Sequence, residues 1–300
     1  MVIEVKKGYT EIRLSTSYGL KGEEELAQFY QTEDKVAFIN NEFLNKELRQ
    51  KDTNIAICDN EYLIIKLDNE IVDKMRCKNG ELIPLKYNRV HSEHLGKMSP
   101  RNTQQEFGFD MLQDPDTHIK LITGRFGSGK SVLMIAHALT AIEKNKFDKI
   151  VYVRNNIELK DTTPLGALPG TLDEKMINWA ANVGDHVGGM DGLKMLIQDR
   201  KFEIAPLGYI RGRDLRNCII FCDEAENLTT AQIQLLIGRV GEGSQLWLAG
   251  DRKQTDKAIF DKDSGIGKMM ERLRGKPLYA YVNLEKCERS AASAYADLLD

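Results

Sequence analysis

The sequence predicts an α/β protein: a mostly parallel sheet preceded by a small β-rich domain. Three observations carry this. From residue 100 onward, short apolar runs alternate with segments of helical apolar spacing. One run, Cys218-Ile219-Ile220-Phe221-Cys222, is apolar without a break, as a strand buried on both faces requires. Before residue 100, shorter apolar alternations are punctuated by Asp-Asn and Asn-Gly pairs, which mark hairpins.

Taken in order, residues 33 to about 88 hold Ala37-Phe38-Ile39, Ile55-Ala56-Ile57 and Tyr62-Leu63-Ile64-Ile65. Asp59-Asn60, Asp68-Asn69 and Asn79-Gly80 separate such runs as turns. Residues 89–99, with His91, Ser92, His94 and Gly96, read as a solvated linker. The two histidines lack a third ligand at fitting spacing, so no metal site is expected there. This divides the chain into residues 1–98 and 99–300. In the second part strands are expected at 119–123, 149–154, 202–205, 217–222, 244–249 and 278–284. Helices are expected at about 129–144, 171–182, 189–200, 229–240, 264–274 and 288–299, with Thr171-Leu172-Asp173-Glu174 as a capping box. Such alternation implies right-handed crossovers.

Composition fits a soluble enzyme. Hydrophobic residues make up 42% and charged residues 29%, without the bias of a disordered chain. No apolar run approaches the ~20 residues that span a bilayer. The start, Met1-Val2-Ile3-Glu4-Val5-Lys6-Lys7, has no signal-peptide pattern. Five cysteines without framework spacing agree with a reducing cytoplasm. The net charge of −3 argues against a generic DNA-coating protein but allows a local basic surface.

Chemistry concentrates in three places. Gly124-Arg125-Phe126-Gly127-Ser128-Gly129-Lys130-Ser131 fits G-x-x-x-x-G-K-[ST] between an expected strand and an expected helix. Its backbone N–H groups would cradle phosphates, Lys130 would reach the terminal phosphates and Ser131 would ligate Mg²⁺. Asp223-Glu224 follows the apolar strand, where ligands bind in an open α/β sheet. Asp223 is placed to hold Mg²⁺ through water and Glu224 to polarise an attacking water, which favours hydrolysis over transfer to an acceptor. Asp251 and Gln254 follow a third strand and could sense the γ-phosphate; spacing alone leaves an ordinary βα loop equally open. Arg211-Gly212-Arg213 with Arg216 is the densest arginine cluster, suited to phosphate or simply solvated. Two other motifs fail on context. Asn145-Lys146-Phe147-Asp148 matches a guanine-reading motif but lies too early in the chain, and Asp52-Thr53-Asn54 follows no apolar strand.

These residues resemble the PhoH family of P-loop ATPases, specifically the ATPase half of PIN–PhoH fusion proteins. The likeness runs from Pro100 to the end. It includes Pro100-Arg101-Asn102-Thr103-Gln104-Gln105, the loop at 124–131, Leu168-Pro169-Gly170-Thr171-Leu172-Asp173-Glu174-Lys175-Met176, and Ile204-Ala205-Pro206-Leu207-Gly208-Tyr209-Ile210-Arg211-Gly212-Arg213. It also includes Asp223-Glu224-Ala225-Glu226-Asn227, Gly250-Asp251 with Gln254, and Glu288-Arg289-Ser290. The resemblance implies a RecA-like core, ATP hydrolysis with Mg²⁺, a ring-like homo-oligomer such as a hexamer, and action on RNA or single-stranded DNA. By similarity Gln105 would read adenine and Arg289 would approach the γ-phosphate, in trans if a neighbouring subunit supplies it; Arg239 and Arg213 are further candidates for that role. Arg154, Arg211 and Arg213 are candidates for nucleic acid. The sequence departs from the family at Glu226, usually Gln, and at Asn155, usually Pro after Arg154. No nuclease half is recognisable, so cleavage of RNA would need a separate nuclease partner. An alternative reading is an ATP-dependent switch acting on a protein partner; a small-molecule kinase finds no acceptor pocket or arginine-rich lid.

Overall fold

The computed structural model describes residues 2–6, 9–14, 57–67, 70–154, 172–251 and 264–288. The expected helix at 288–299, the apolar runs between 33 and 56 and the Thr171 capping box fall on residues outside these. Seven strands precede the first described helix: β1 (Val2–Lys6), β2 (Tyr9–Leu14), β3 (Tyr62–Leu67), β4 (Glu70–Lys78), β5 (Glu81–Pro84), β6 (Val90–Ser92) and β7 (Gly96–Met98). Strands β1 to β5 form one sheet in that order, antiparallel except for the parallel β2–β3 pair. Asn79 and Gly80, with φ of 54° and 78°, make the two-residue turn between β4 and β5, the backbone that an Asn-Gly pair favours.

Residues 89–99 are mostly exposed, as a linker would be, but they also form a short hairpin that buries two side chains. Strands β6 and β7 pair antiparallel, Val90 and Ser92 are buried, and the Ser92 hydroxyl donates to Glu143 Oε1 at 2.8 Å. A short polar segment can be buried when its polar atoms find partners, and that partner is invisible in local sequence.

The main sheet has six strands in the order β10-β9-β11-β12-β8-β13, all parallel. They are β8 (Ile119–Gly124), β9 (Lys149–Arg154), β10 (Phe202–Pro206), β11 (Cys218–Cys222), β12 (Gln245–Gly250) and β13 (Tyr279–Leu284). All six were expected within about a residue. One strand, β12, lies between β8 and β11. The described helices are α1 (Thr103–Gln113), α2 (Lys130–Glu143), α3 (Leu172–Trp179), α4 (Ala181–Gly184), α5 (Gly189–Gln198), α6 (Thr230–Ile237) and α7 (Gly265–Arg272). Helix α1 was not expected; its start is set by the Asn102 side chain, which accepts from the Gln105 N–H, a capping device.

Alternation along each strand divides the core into two layers. Ile219 and Phe221 face the side of Phe107, Phe109, Met134 and Leu139, whereas Ile220 and Cys222 face Leu228, Ile233, Leu236 and Ile266. Trp247 is fully covered on the first side, and its indole N–H donates to Gln245 Oε1 at 2.9 Å.

A buried polar cluster joins the two sheets through α1. Arg76 on β4 pairs with Asp110 at 3.1 Å and Asp114 at 2.7 Å, and it donates to Thr117 at 2.8 Å. Tyr62 donates to Asp110 at 2.9 Å and stacks on Phe107 with ring centroids 4.7 Å apart. Asn60 donates to the carbonyls of Pro277 and Tyr279 at 2.9 and 3.0 Å. Burial alone would raise the Asp114 carboxyl, but the Thr117 hydroxyl, Arg76 and Lys78 outweigh it and hold it well below the usual range.

Removing Arg76 strands two buried carboxylates, so Arg76→Met is expected to destabilise by about 3–5 kcal/mol. Urea denaturation at pH 7 reads this as a lower midpoint. Because the depressed Asp114 contributes stability above its unfolded value, the wild-type advantage is lost as pH falls through the acid range.

Candidate active site

The carboxyl ends of the parallel strands open on a cleft of about 770 Å³. Its floor is the loop between β8 and α2. Gly124 has no room for a side chain: a Cβ there would overlap the Leu284 carbonyl and lie 2.8 Å from Ser128 Oγ. Gly129, at φ 92°, precedes α2 without any side-chain cap. The first-turn N–H groups of a 14-residue helix therefore face the cleft uncapped, the arrangement that attracts phosphate. Lys130 Nζ donates to the loop carbonyls of Gly124 and Arg125 at 2.7 and 3.0 Å. Ser128 Oγ is buried with no hydrogen-bond partner among the described residues.

From the other side β11 delivers Asp223. The Ser131 hydroxyl lies 3.1 and 3.0 Å from its two carboxylate oxygens, although 92 residues separate them in sequence. An aliphatic hydroxyl and a carboxylate are hard oxygen donors, the ligand type that suits Mg²⁺. Residues present therefore fit both a nucleotide phosphate chain and its metal. Burial pushes the Asp223 carboxyl up, while hydrogen bonds from Ser131 and the Glu224 N–H pull it back. A cation held there would favour the ionised form further.

Glu224 adopts a left-handed backbone, φ 54° and ψ 42°. Its carboxylate is bonded to Arg154 at the end of β9: Arg154 Nε donates to Oε2 at 3.2 Å, and Nη2 pairs with Oε1. Arg154 Nη1 also donates to the Trp179 carbonyl at 3.0 Å. Asp251, which follows β12, is buried in the same cleft.

The structure thus brings Gln105, Lys130, Ser131, Asp223, Glu224, Asp251 and Arg154 to one cleft. Gln105 is buried with both amide ends engaged: Nε2 donates to Ser128 O at 3.3 Å and Oε1 accepts from Arg101 N at 2.9 Å. Phe126 on the loop is half-exposed. Arg211 and Arg213 do not line the cleft; Arg213 pairs with Glu203 at 2.6 Å. Gln254, Arg289 and Asn155 lie outside the described residues. Glu288, the neighbour of Arg289, does line the cleft; its N–H donates to Gly127 O at 3.1 Å and its carboxylate accepts from Asn102 at 2.7 Å.

Asn182 was missed by the sequence reading. Its amide donates to Asp223 Oδ2 at 2.7 Å, while its oxygen accepts from Tyr152 at 3.2 Å. No motif surrounds it, so only the packing of α4 against β9 could reveal it. Glu226 was noted as a departure and has a clear place: Oε2 accepts from the Asp251 N–H at 3.0 Å. Burial, reinforced by the charges of Asp223 and Glu224 and opposed by two backbone N–H bonds, pushes its carboxyl up to about 8.

That shift has a definite sign. Unfolded Glu226 loses its proton near its ordinary 4.5 and folded Glu226 near about 8, so stability falls as pH rises between those values. Glu226→Gln keeps the acceptor for Asp251 and removes the titration. The variant is expected to be more stable than wild type at pH 8.5, by on the order of 3–5 kcal/mol. The gap should close towards pH 5. Denaturant midpoints at the two pH values measure it, and a gap independent of pH would refute the shift.

Comparison with known proteins points to one family. A family model described as PhoH-like protein covers residues 97–296. "Protein PhoH2" of Bacillus subtilis (strain 168) is 34% identical over 220 residues, 69% of this chain and 49% of that protein. "Protein PhoH2" of Thermobispora bispora is 32% identical over 197 residues, 65% and 45% of the two chains. The chain spans about half the length of these curated relatives. A solved structure, the Pif1 helicase from Candida albicans, covers 67% of this chain and 44% of its own at 17% identity, with a TM-score of 0.35; a likeness so distant carries no argument. The family match spans the phosphate loop, the acidic pair and every strand of the parallel sheet, and the chain belongs to the PhoH family, with a P-loop NTPase fold.

Proposed function

We propose that this protein hydrolyses ATP with Mg²⁺ and couples hydrolysis to RNA or single-stranded DNA, in a helicase-like manner and as a ring of identical subunits such as a hexamer. The observation that carries the reading is the Ser131–Asp223 contact beneath an uncapped helix start. A hydroxyl and a carboxylate, both suited to a nucleotide-bound metal, lie together there beside a helix start suited to phosphate, which supports the reading. Gln105 is the proposed adenine reader and Arg289 the arginine that approaches the γ-phosphate. In this reading residues 1–98 and 99–300 form two domains, the protein acts in the cytoplasm, and a separate nuclease is its partner.

The chemistry follows from the side chains. The α2 N–H groups and Lys130 bind the phosphates, and the parallel strand ends hold Asp223, Glu224 and Asp251 around them. Ser131 and Asp223 would hold Mg²⁺, whose charge would offset that of the phosphate oxygens. Glu224 orients a water whose oxygen bonds to the γ-phosphorus as the bond to the β–γ bridging oxygen breaks; the water's proton goes to the Glu224 carboxylate. Arg154 at the end of β9 supplies a cation for a strand backbone; Arg211, beyond the short turn that follows β10, lies outside the cleft.

Phosphate release from ATP, with and without RNA or single-stranded DNA, tests the reading. Wild type should be stimulated by one strand type, and Lys130→Ala should lose at least about 100-fold in rate, the scale of removing a charge-stabilising group. Hydrolysis indifferent to both strands, with partner binding that follows nucleotide state, would instead support the protein-switch alternative.

A further inference from the structure

The residue marked for water activation and a residue marked for nucleic acid are bonded to each other. Arg154 ends β9 and Glu224 follows β11, which are adjacent strands paired at Cys222 and Val153. The guanidinium holds both oxygens of the Glu224 carboxylate and is itself tied to the Trp179 carbonyl.

Sheet order gives this pair a direction. Strand β9 lies on one side of β11, whereas β12 and then β8, which carries the phosphate loop, lie on the other. Neighbouring strands are about 4.8 Å apart, so a carboxylate drawn to β9 is drawn away from the loop. Its predecessor Asp223 faces the loop and bonds Ser131. Glu224 has a left-handed backbone, an uncommon conformation of the kind that gathers at functional sites. Both partners are partly exposed, with side-chain exposures of 29% for Arg154 and 43% for Glu224, so a strand can reach the guanidinium. A guanidinium bonds phosphate in the same two-pronged way as carboxylate, so a phosphate can take the carboxylate's place.

We infer that Arg154 is a positioning residue that holds Glu224 off the phosphate loop until the phosphodiester backbone of a single strand takes the guanidinium. Strand binding then frees Glu224 for water, and stimulation of hydrolysis by nucleic acid follows from one exchanged ion pair. This rests on the ATPase reading above and supplies its regulation. Because Glu224 and the strand compete for one guanidinium, each must weaken the other's hold on it by the same factor.

Two measurements test it, using labelled oligo-uridylate and oligo-thymidylate to distinguish RNA from DNA. In the first, Arg154→Gln should raise strand-free kcat by roughly 5-fold or more, leave KM for ATP unchanged and lose strand stimulation. Arg154→Lys, with a single-pronged cation, should fall between. In the second, which needs no hydrolysis, Glu224→Gln should bind the responsive oligonucleotide roughly 5-fold or more tighter than wild type, and Arg154→Gln should bind it more weakly. The proposal is overturned if a strand-stimulated wild type accompanies an Arg154→Gln variant with strand-free kcat at or below wild type. A raised KM for ATP overturns it too, since Arg154 would then touch the nucleotide, as does a Glu224→Gln variant that binds strand no tighter. A wild type that neither hydrolyses ATP nor binds either oligonucleotide overturns the ATPase reading itself.

Discussion

Six strands that all run in one direction place every strand's carboxyl end on the same rim, and the candidate site exists because of this constraint. A parallel sheet must be covered on both faces, which is why β11 is apolar throughout and why polarity appears only at its exit, in Asp223 and Glu224. The same rule sets the phosphate loop after β8, Asp251 after β12 and Arg154 at the end of β9. Side chains spread over more than a hundred residues of sequence share one cleft without any of them needing to be near another in the chain.

Helix α1 acts as a bracket between the sheet and its surroundings. Its carboxyl-terminal half carries Asp110 and is followed by Asp114, both locked to Arg76 of the β-rich sheet. Its amino-terminal end carries Gln105 against the phosphate loop, and the preceding Asn102 grips Glu288. The β-rich sheet is thereby anchored to the element that supports the loop and the segment leading to Arg289. Buried ion pairs of this type contribute more to a unique arrangement than to net stability, and here the arrangement concerns the wall of the cleft.

The electrostatics of the cleft are unbalanced by design of its packing. Asp223, Glu226 and Asp251 are all buried on the rim side of the sheet, while the cations that approach them, Lys130 and Arg154, are bound to loop carbonyls and to Glu224. Burial raises two of these carboxyls, a state that a bound cation relieves. Glu226 accepts from the Asp251 N–H, a role that either a carboxyl or an amide oxygen can fill. Burial raises its carboxyl, which brings a Glu at this position closer to the neutral, hydrogen-bonding character of an amide.

Much of this was readable from residues alone. Apolar runs located all six parallel strands, most plainly β11, whose burial on both faces requires continuous apolar character. The phosphate loop and the acidic pair were legible because each needs particular residue types at fixed local spacing. Local sequence did not show α1, whose capping Asn102 resembles any loop asparagine, nor the burial of Ser92 in a segment that reads as a linker. It assigned Arg154 and Glu224 separate tasks, and Asn182 none. These were decided by strand order and helix packing, since a contact between residues some seventy positions apart depends on which strands become neighbours. Periodicity specifies that a strand is buried, but only the assembled sheet selects what lies beside its end.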